Sequence, residues 1–130
     1  MSWVLVDTSV VSYVLKKHSL APAYWDILKH RSLAISFMTA AELYCWPLRR
    51  NWSDRRVIAL QQHIRGYALL RHTDSMSWEW ARIKCRRGRP ISDADAWIAA
   101  AALLYDLPLV THNSRHFQHI EGLKVLTVNS

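Results

Sequence analysis

The fold is decided by one stretch near the start of the chain, Trp3-Val4-Leu5-Val6-Asp7-Thr8-Ser9. Its first four residues form an uninterrupted apolar run, which is typical of a strand buried on both faces of a parallel sheet. Asp7 follows that run directly, and Thr8 or Ser9 can cap a helix that extends to about Lys17. The stretch therefore predicts a strand that turns into a helix, with a carboxylate at the junction.

The same alternation of strand and helix continues along the chain. Further strands are predicted at Leu33 to Phe37, Leu69-Leu70, Pro108 to Thr111 and Lys124 to Val128. Helices are predicted after Pro22, from Thr39 to Pro47, from Ser53 to about Tyr67, from Ser75 or Ser77 to the segment before Gly88, from Asp93 to Tyr105 and near Ser114 to Gln118. Parallel neighbours need such crossover connections, so the pattern predicts an α/β fold. We expect a single three-layer domain over residues 1–130, with a mostly parallel central sheet and helices on both faces.

Composition limits the class of protein. The N-terminal residues lack the basic region and long apolar run of a secretory signal. The most apolar later segment, Ala94 to Leu104, is too short to span a bilayer. Cys45 and Cys85 do not make a disulfide framework. We therefore expect a cytoplasmic protein with no membrane partner.

Positive charge is in excess and is concentrated in one segment. The chain carries 17 Lys and Arg against 10 Asp and Glu, a net charge of +7 at pH 7. Much of the excess lies between residues 82 and 89, at Arg82, Lys84, Arg86, Arg87 and Arg89. Such a segment favours a polyanion through long-range attraction and counterion release, or it is a solvated helix end that suits the helix dipole. Charge alone does not separate nucleic acid from an acidic protein partner.

Acidic or amide side chains stand where a predicted strand has just ended or a helix begins, at Asp7, Glu42, Asp95 and Asn113. Parallel strands bring such positions to one edge of the sheet, where open α/β sheets place their ligand site. Carboxylates gathered there repel one another unless a hard cation neutralises them. The placement therefore predicts a divalent-metal site.

Each of these residues also has a purely structural interpretation. Thr39 and Glu42 fit a capping box, and the stretch from Ser92 to Asp95 is a similar helix start. Asp7 and Asn113 suit turns that follow strands. Independent caps, however, have no reason to converge, whereas a metal site requires convergence.

Several motifs then resemble those of PIN-domain ribonucleases, and most closely those of the VapC-type toxins of bacterial toxin–antitoxin pairs. The order and spacing match over Val4-Leu5-Val6-Asp7-Thr8-Ser9, Thr39-Ala40-Ala41-Glu42-Leu43, Asp95-Ala96-Trp97-Ile98-Ala99-Ala100 and Leu109 to Phe117. The resemblance implies that Asp7, Glu42 and Asp95 hold Mg²⁺ or Mn²⁺, with the hydroxyls of Thr8 and Ser9 in support. Asn113 stands where many relatives carry a fourth aspartate, which argues against a permanently occupied second metal site. Asp93 is expected to cap its helix or to reach the metal through water.

The resemblance also implies a function and partners. It implies a cytoplasmic endoribonuclease that leaves a 5′-phosphate, forms a homodimer or a larger toxin–antitoxin assembly, and is inhibited by a cognate antitoxin. Arg86, Arg87 and Arg89 are then expected to hold phosphates of the RNA.

One rival is a non-catalytic PIN-like module that binds RNA or protein. Others are a phosphatase or DNA nuclease with the same acids, and a zinc site built from His112, His116 and His119.

Overall fold

A five-stranded parallel sheet forms the centre of the computed structural model, which describes residues 2–129 and leaves Met1 and Ser130 outside the described range. In chain order the strands are β1 (Trp3–Val6), β2 (Ser32–Ser36), β3 (Ala68–Leu70), β4 (Leu109–Val110) and β5 (Val125–Leu126). Their order across the sheet is β3-β2-β1-β4-β5, and every neighbouring pair is parallel. The predicted α/β class and parallel sheet are confirmed. The last strand is shorter than the predicted Lys124 to Val128.

Helices connect the strands and cover the sheet. They are α1 (Thr8–Leu15), α2 (Ala21–Leu28), α3 (Phe37–Arg50), α4 (Asp54–Ile64), α5 (Asp74–Cys85), α6 (Asp93–Leu104) and α7 (Ser114–Phe117). Within the described residues, no helix is long and apolar enough to cross a membrane.

Side-chain alternation along the strands builds two separate cores. In β1, Val4 and Val6 pack with buried residues of α1, α2, α3 and α4, whereas Leu5 packs on the opposite face with α5, α6 and α7. Successive residues of a strand point to opposite faces, so an apolar run with no polar member needs both faces covered. The predicted three layers are thereby confirmed.

Two predictions about α3 are wrong. The helix begins at Phe37 rather than Thr39, because the side chain of Ser36 accepts a hydrogen bond from the Met38 amide and caps the helix. It also continues through Pro47 and ends at Arg50, followed by the C-cap residue Asn51 with a left-handed backbone (φ 50°). The consequence is that Thr39 and Glu42 both lie inside the helix.

Candidate active site

Asp7 is the most buried of the predicted site residues. It follows β1 directly and is the N-cap residue of α1, so the predicted caps Thr8 and Ser9 lie inside that helix. Only 3% of Asp7 is exposed, and its Oδ2 accepts hydrogen bonds from Thr111 Oγ1 at 2.6 Å and Ser9 Oγ at 2.9 Å. Burial raises the pKa of Asp7, these hydroxyls lower it, and the charge of Asp95 raises it further. Asp7 is thus a carboxylate that is held in place and costly to ionise.

Glu42 projects from α3 toward the same edge of the sheet. Thr8 Oγ1 donates a hydrogen bond to Glu42 Oε1 at 2.7 Å, and the Thr8 hydroxyl also lies 3.0 Å from that of buried Thr39. Partial burial raises the pKa of Glu42, the Thr8 bond lowers it, and repulsion from Asp7 and Asp95 raises it. The capping-box interpretation is wrong, since Glu42 bonds a residue 34 positions away instead of the start of its own helix.

Asp95 completes the acidic group from the start of α6. Ser92 caps that helix by accepting a hydrogen bond from the Asp95 amide at 3.1 Å, which leaves the Asp95 side chain free to turn toward the other acids. The carboxylate is 22% exposed and lies 3.1 Å from His116 Nδ1. Its charge acts on both Asp7 and Glu42, so the three acids share one electrostatic environment. We call this group of Asp7, Glu42 and Asp95 the acidic crevice.

Two predicted residues stand apart from the acidic crevice. Asn113 is exposed at the start of α7, and its backbone amide donates to Thr111 Oγ1 at 3.0 Å. Asp93 is 76% exposed and pairs with Lys84 at 2.8 Å, so it neither caps α6 nor points toward the acids. Residues two apart on a helix lie on different faces, which separates Asp93 from Asp95.

The donor set of the acidic crevice fits a hard cation. Its donors are carboxylate oxygens, which Mg²⁺ and Mn²⁺ prefer, and no Lys or Arg of residues 2–129 pairs with any of them. Yet within the same residues no three His, Cys, Asp or Glu side chains are gathered tightly enough to hold a metal ion. Glu42 and Asp95 instead contact Thr8 and His116. The chemistry of a metal site is thus present without a formed coordination shell.

The proposed histidine-zinc site is wrong. His112 Nδ1 lies 2.6 Å from the hydroxyl of buried Tyr24, and His116 contacts Asp95. His119 lines a cavity that neither His112 nor His116 lines, so the three imidazoles do not share one site. The zinc spacing depended on His112 and His116 lying four residues apart on one helix, but α7 spans only Ser114–Phe117, so His112 lies before it.

Sequence reasoning missed the contact of Thr111 with Asp7, and it considered His116 only as a zinc ligand and not as a partner of Asp95. Thr111 is fully buried at the end of β4, where it donates to Asp7 and accepts from Asn113. A polar residue that directly follows a buried strand was the available signal, the same signal that indicated Asp7. His116 carried no such signal, because only the packing of α7 against α6 brings it to Asp95.

The predicted RNA-binding arginines line a cavity formed by the end of α5, the loop after it and the turn after α7. It has a volume of about 360 Å³ and is bordered by Arg82, Arg86, Arg87, Arg89 and His119. We call it the arginine pocket. Arg86 pairs there with Glu121 at 3.1 Å, and Arg82 pairs with Glu79. The arginine side chains of the basic segment therefore border a concave surface and remain exposed to solvent.

Comparison with known proteins identifies the fold and the family. Residues 4–123 match the PIN domain. Ribonuclease VapC1 of Methanocaldococcus jannaschii is 30% identical over 131 residues, which cover 95% of this chain and 87% of that protein. Ribonuclease VapC1 of Haemophilus influenzae strain R2866 is 28% identical over 125 residues, covering 92% and 93%.

A solved structure has the same fold. The crystal structure of VapBC-5 from Mycobacterium tuberculosis, a member of the VapBC family of toxin–antitoxin systems, superposes with a TM-score of 0.74 at 24% identity, over 98% of this chain and all of the other. The chain thus belongs to the PIN domain family, as a VapC-type member. The resemblance drawn from the sequence motifs is confirmed.

Proposed function

We propose that this protein is a divalent-metal-dependent endoribonuclease and the toxin of a toxin–antitoxin pair. The observation that carries the proposal is the acidic crevice. Burial and mutual repulsion raise the pKa of Asp7 and of Glu42, and no Lys or Arg of the described chain neutralises them. Such an arrangement of carboxylates lowers the stability of the fold. A cation that binds there neutralises them and can also bind a phosphate. The relatives named ribonucleases support RNA as the substrate.

In this proposal Asp7, Glu42 and Asp95 hold Mg²⁺ or Mn²⁺. When bound, the ion lowers the pKa of an attacking water and offsets the charge that develops at phosphorus. Thr111 and Ser9 hold Asp7 in one orientation, and Thr8 does the same for Glu42. Water adds to the phosphorus, the bond to the 3′ oxygen breaks, and the products carry a 5′-phosphate and a 3′-hydroxyl. Arg86, Arg87 and Arg89 hold phosphates of the same RNA.

Matched variants of α6 test this assignment. Asp95→Ala should abolish RNA cleavage in Mg²⁺, whereas Asp93→Ala, two residues away and 76% exposed, should retain it. EDTA should stop the wild-type reaction, and DNA and small phosphate esters should be poor substrates. Full Mg²⁺-dependent activity in Asp95→Ala would refute the site. Calorimetry that finds no Mg²⁺ or Mn²⁺ binding would favour a non-catalytic binding module.

An antitoxin partner and a homodimer are part of the proposal. Exposed aromatic side chains support such interfaces, with Trp25 at 51% and Trp78 at 63% exposure. An antitoxin can block the acidic crevice with an Arg or Lys that competes with the metal for the same carboxylates. Its affinity should then fall as Mg²⁺ rises, by thermodynamic linkage. Affinity that ignores Mg²⁺ would contradict this mechanism, and a monomer by light scattering would exclude the dimer.

A further inference from the structure

We infer that the arginine pocket is a nucleotide-binding subsite, which receives the base of one unpaired nucleotide while its rim binds the adjoining phosphate. The inference rests on the proposed ribonuclease function and adds to it a place where a base is read. Four features of the pocket support it: its shape, its floor, its charge and its position.

The pocket combines an apolar floor with a cationic rim. Its floor includes Ile83, Ile91, Leu103 and Ile120, and its volume of about 360 Å³ is within the usual range for small-molecule sites. A solvated helix end needs no apolar cavity beneath its arginines. A base has an apolar face and a polar edge, and guanidinium groups both stack on bases and pair with phosphates. The surface therefore matches both halves of a nucleotide.

Two of the rim arginines, Arg82 and Arg86, form ion pairs with Glu79 and Glu121. Arg87 and Arg89 are exposed and form no ion pair within residues 2–129. Gly88 between them has φ +135°, a conformation that L side chains rarely adopt, so the loop depends on glycine at this position. Glu121 neutralises Arg86 through an exposed ion pair, which a phosphate can displace.

The position of the pocket fits a single strand that passes through both sites. Ile91 lines the pocket and Asp95 lies four residues further on, at most about 14 Å along the chain. On the other side, His116 contacts Asp95 while His119 lines the pocket. Lys84 fixes the connection, because its Nζ donates to the Ile91 carbonyl at 2.8 Å and pairs with Asp93. The Ile91 side of the pocket is thus within reach of a single strand that continues to the acidic crevice.

The first experiment measures binding without cleavage. The full chain, in EDTA, is titrated with the four nucleoside 5′-monophosphates and with ribose 5-phosphate, and amide shifts are followed by NMR. We expect shifts centred on residues 86–91 and 119–121, and at least one nucleotide that binds about fivefold more tightly than ribose 5-phosphate, from burial of its base. Equal affinities would refute the base subsite. Shifts centred elsewhere on the molecule would also refute it.

Charge variants supply a second test with effects of opposite sign. Arg87→Gln should weaken binding of the preferred nucleotide by about tenfold, through loss of a charge-assisted hydrogen bond. Glu121→Gln should tighten it by about two- to threefold, since Arg86 is released from its ion pair. Arg65→Gln removes one exposed charge from the far end of α4 and should change affinity by less than about twofold. Equal losses in Arg87→Gln and Arg65→Gln would reduce the effect to net charge and overturn the inference.

These measurements separate the subsite from the enzyme. If nucleotides occupy the pocket but the wild type cleaves no RNA in Mg²⁺, the proposed function fails and the pocket remains a nucleotide site. If RNA is cleaved but nucleotides bind elsewhere, only the subsite fails. A glutamate-rich peptide that displaces the nucleotide at lower concentration than RNA does would overturn the inference in favour of an acidic protein partner.

Discussion

The acidic crevice and the arginine pocket carry charges of opposite sign, and the two kinds of charge have different surroundings. Asp7 in the crevice is 3% exposed and is fixed by two hydroxyl groups, and no Lys or Arg among residues 2–129 forms an ion pair with it. The arginines of the pocket face water, and two of them pair with glutamates. A buried charge loses its hydration and interacts strongly with its neighbours. An exposed charge keeps its hydration, and salt screens its interactions.

We expect mutations in these two places to affect function in different ways. Changes in the crevice should have large effects that depend on pH and metal. Changes in the pocket should have graded effects that depend on ionic strength.

Asp7→Asn should abolish activity and stabilise the fold. Cleavage should fall by more than about a hundredfold, since even outer partners of a metal site are worth about 10- to 100-fold. At pH 7 the melting temperature should rise by about 2–6 °C, because the variant no longer buries a charge. In the folded protein the pKa of Asp7 lies above its ordinary value of 3.8. Protonated Asp7 therefore favours the folded state; this contribution to stability is complete below pH 3.8 and is lost as pH rises through the folded-state pKa. The gain should therefore disappear in acid when thermal melting is followed at several pH values, and a gain that is independent of pH would contradict it.

Mg²⁺ should raise the melting temperature of the wild type and leave Asp7→Asn nearly unchanged. An ion that binds the folded state alone contributes about 2.7 kcal/mol at a hundred times its Kd. The shift should be larger at pH 7 than near pH 4, since protonated acids do not bind the ion. Thermal melting with and without EDTA measures it. An equal shift in Asp7→Asn would place the ion outside the crevice.

The triple variant Arg86→Gln, Arg87→Gln, Arg89→Gln should weaken RNA binding and flatten its dependence on salt. For single strands, each lost phosphate contact lowers the slope of log K against log salt by about 0.7. Binding in EDTA between low and moderate salt measures the slope, and the single variant Arg65→Gln serves as the control. An unchanged slope would return these arginines to the role of a solvated surface.

Asn113→Asp should tighten Mn²⁺ binding only a few-fold, by about 1 kcal/mol or less. The added carboxylate contributes charge, but residue 113 is exposed, so water screens much of its effect. Calorimetry of the variant against wild type measures the change. Identical affinities would show that this side chain lies outside the coordination sphere.

The sequence alone was sufficient for the class of fold and for the position of Asp7 and Asp95 at the ends of their elements. The apolar run Val4 to Val6 needs cover on both faces, and a polar residue that directly follows such a strand lies at the carboxyl edge of a parallel sheet. Asp7 was predictable for that reason, as was Asp95 behind its Ser92 cap. These inferences depend on local patterns of two or three residues, which sequence records directly.

Only the tertiary structure decided which side chains meet. The start of α3 was misplaced because Ser36 and Thr39 are both good caps; Ser36 caps the helix, and the Thr39 hydroxyl contacts Thr8 instead. The bond from Thr8 to Glu42 joins residues 34 apart, and that from Thr111 to Asp7 spans 104. The arginine pocket likewise needs α5, the loop after it and the turn after α7 to come together. Contacts of this range depend on the order of strands and on how helices pack, and no local pattern in the sequence encodes them.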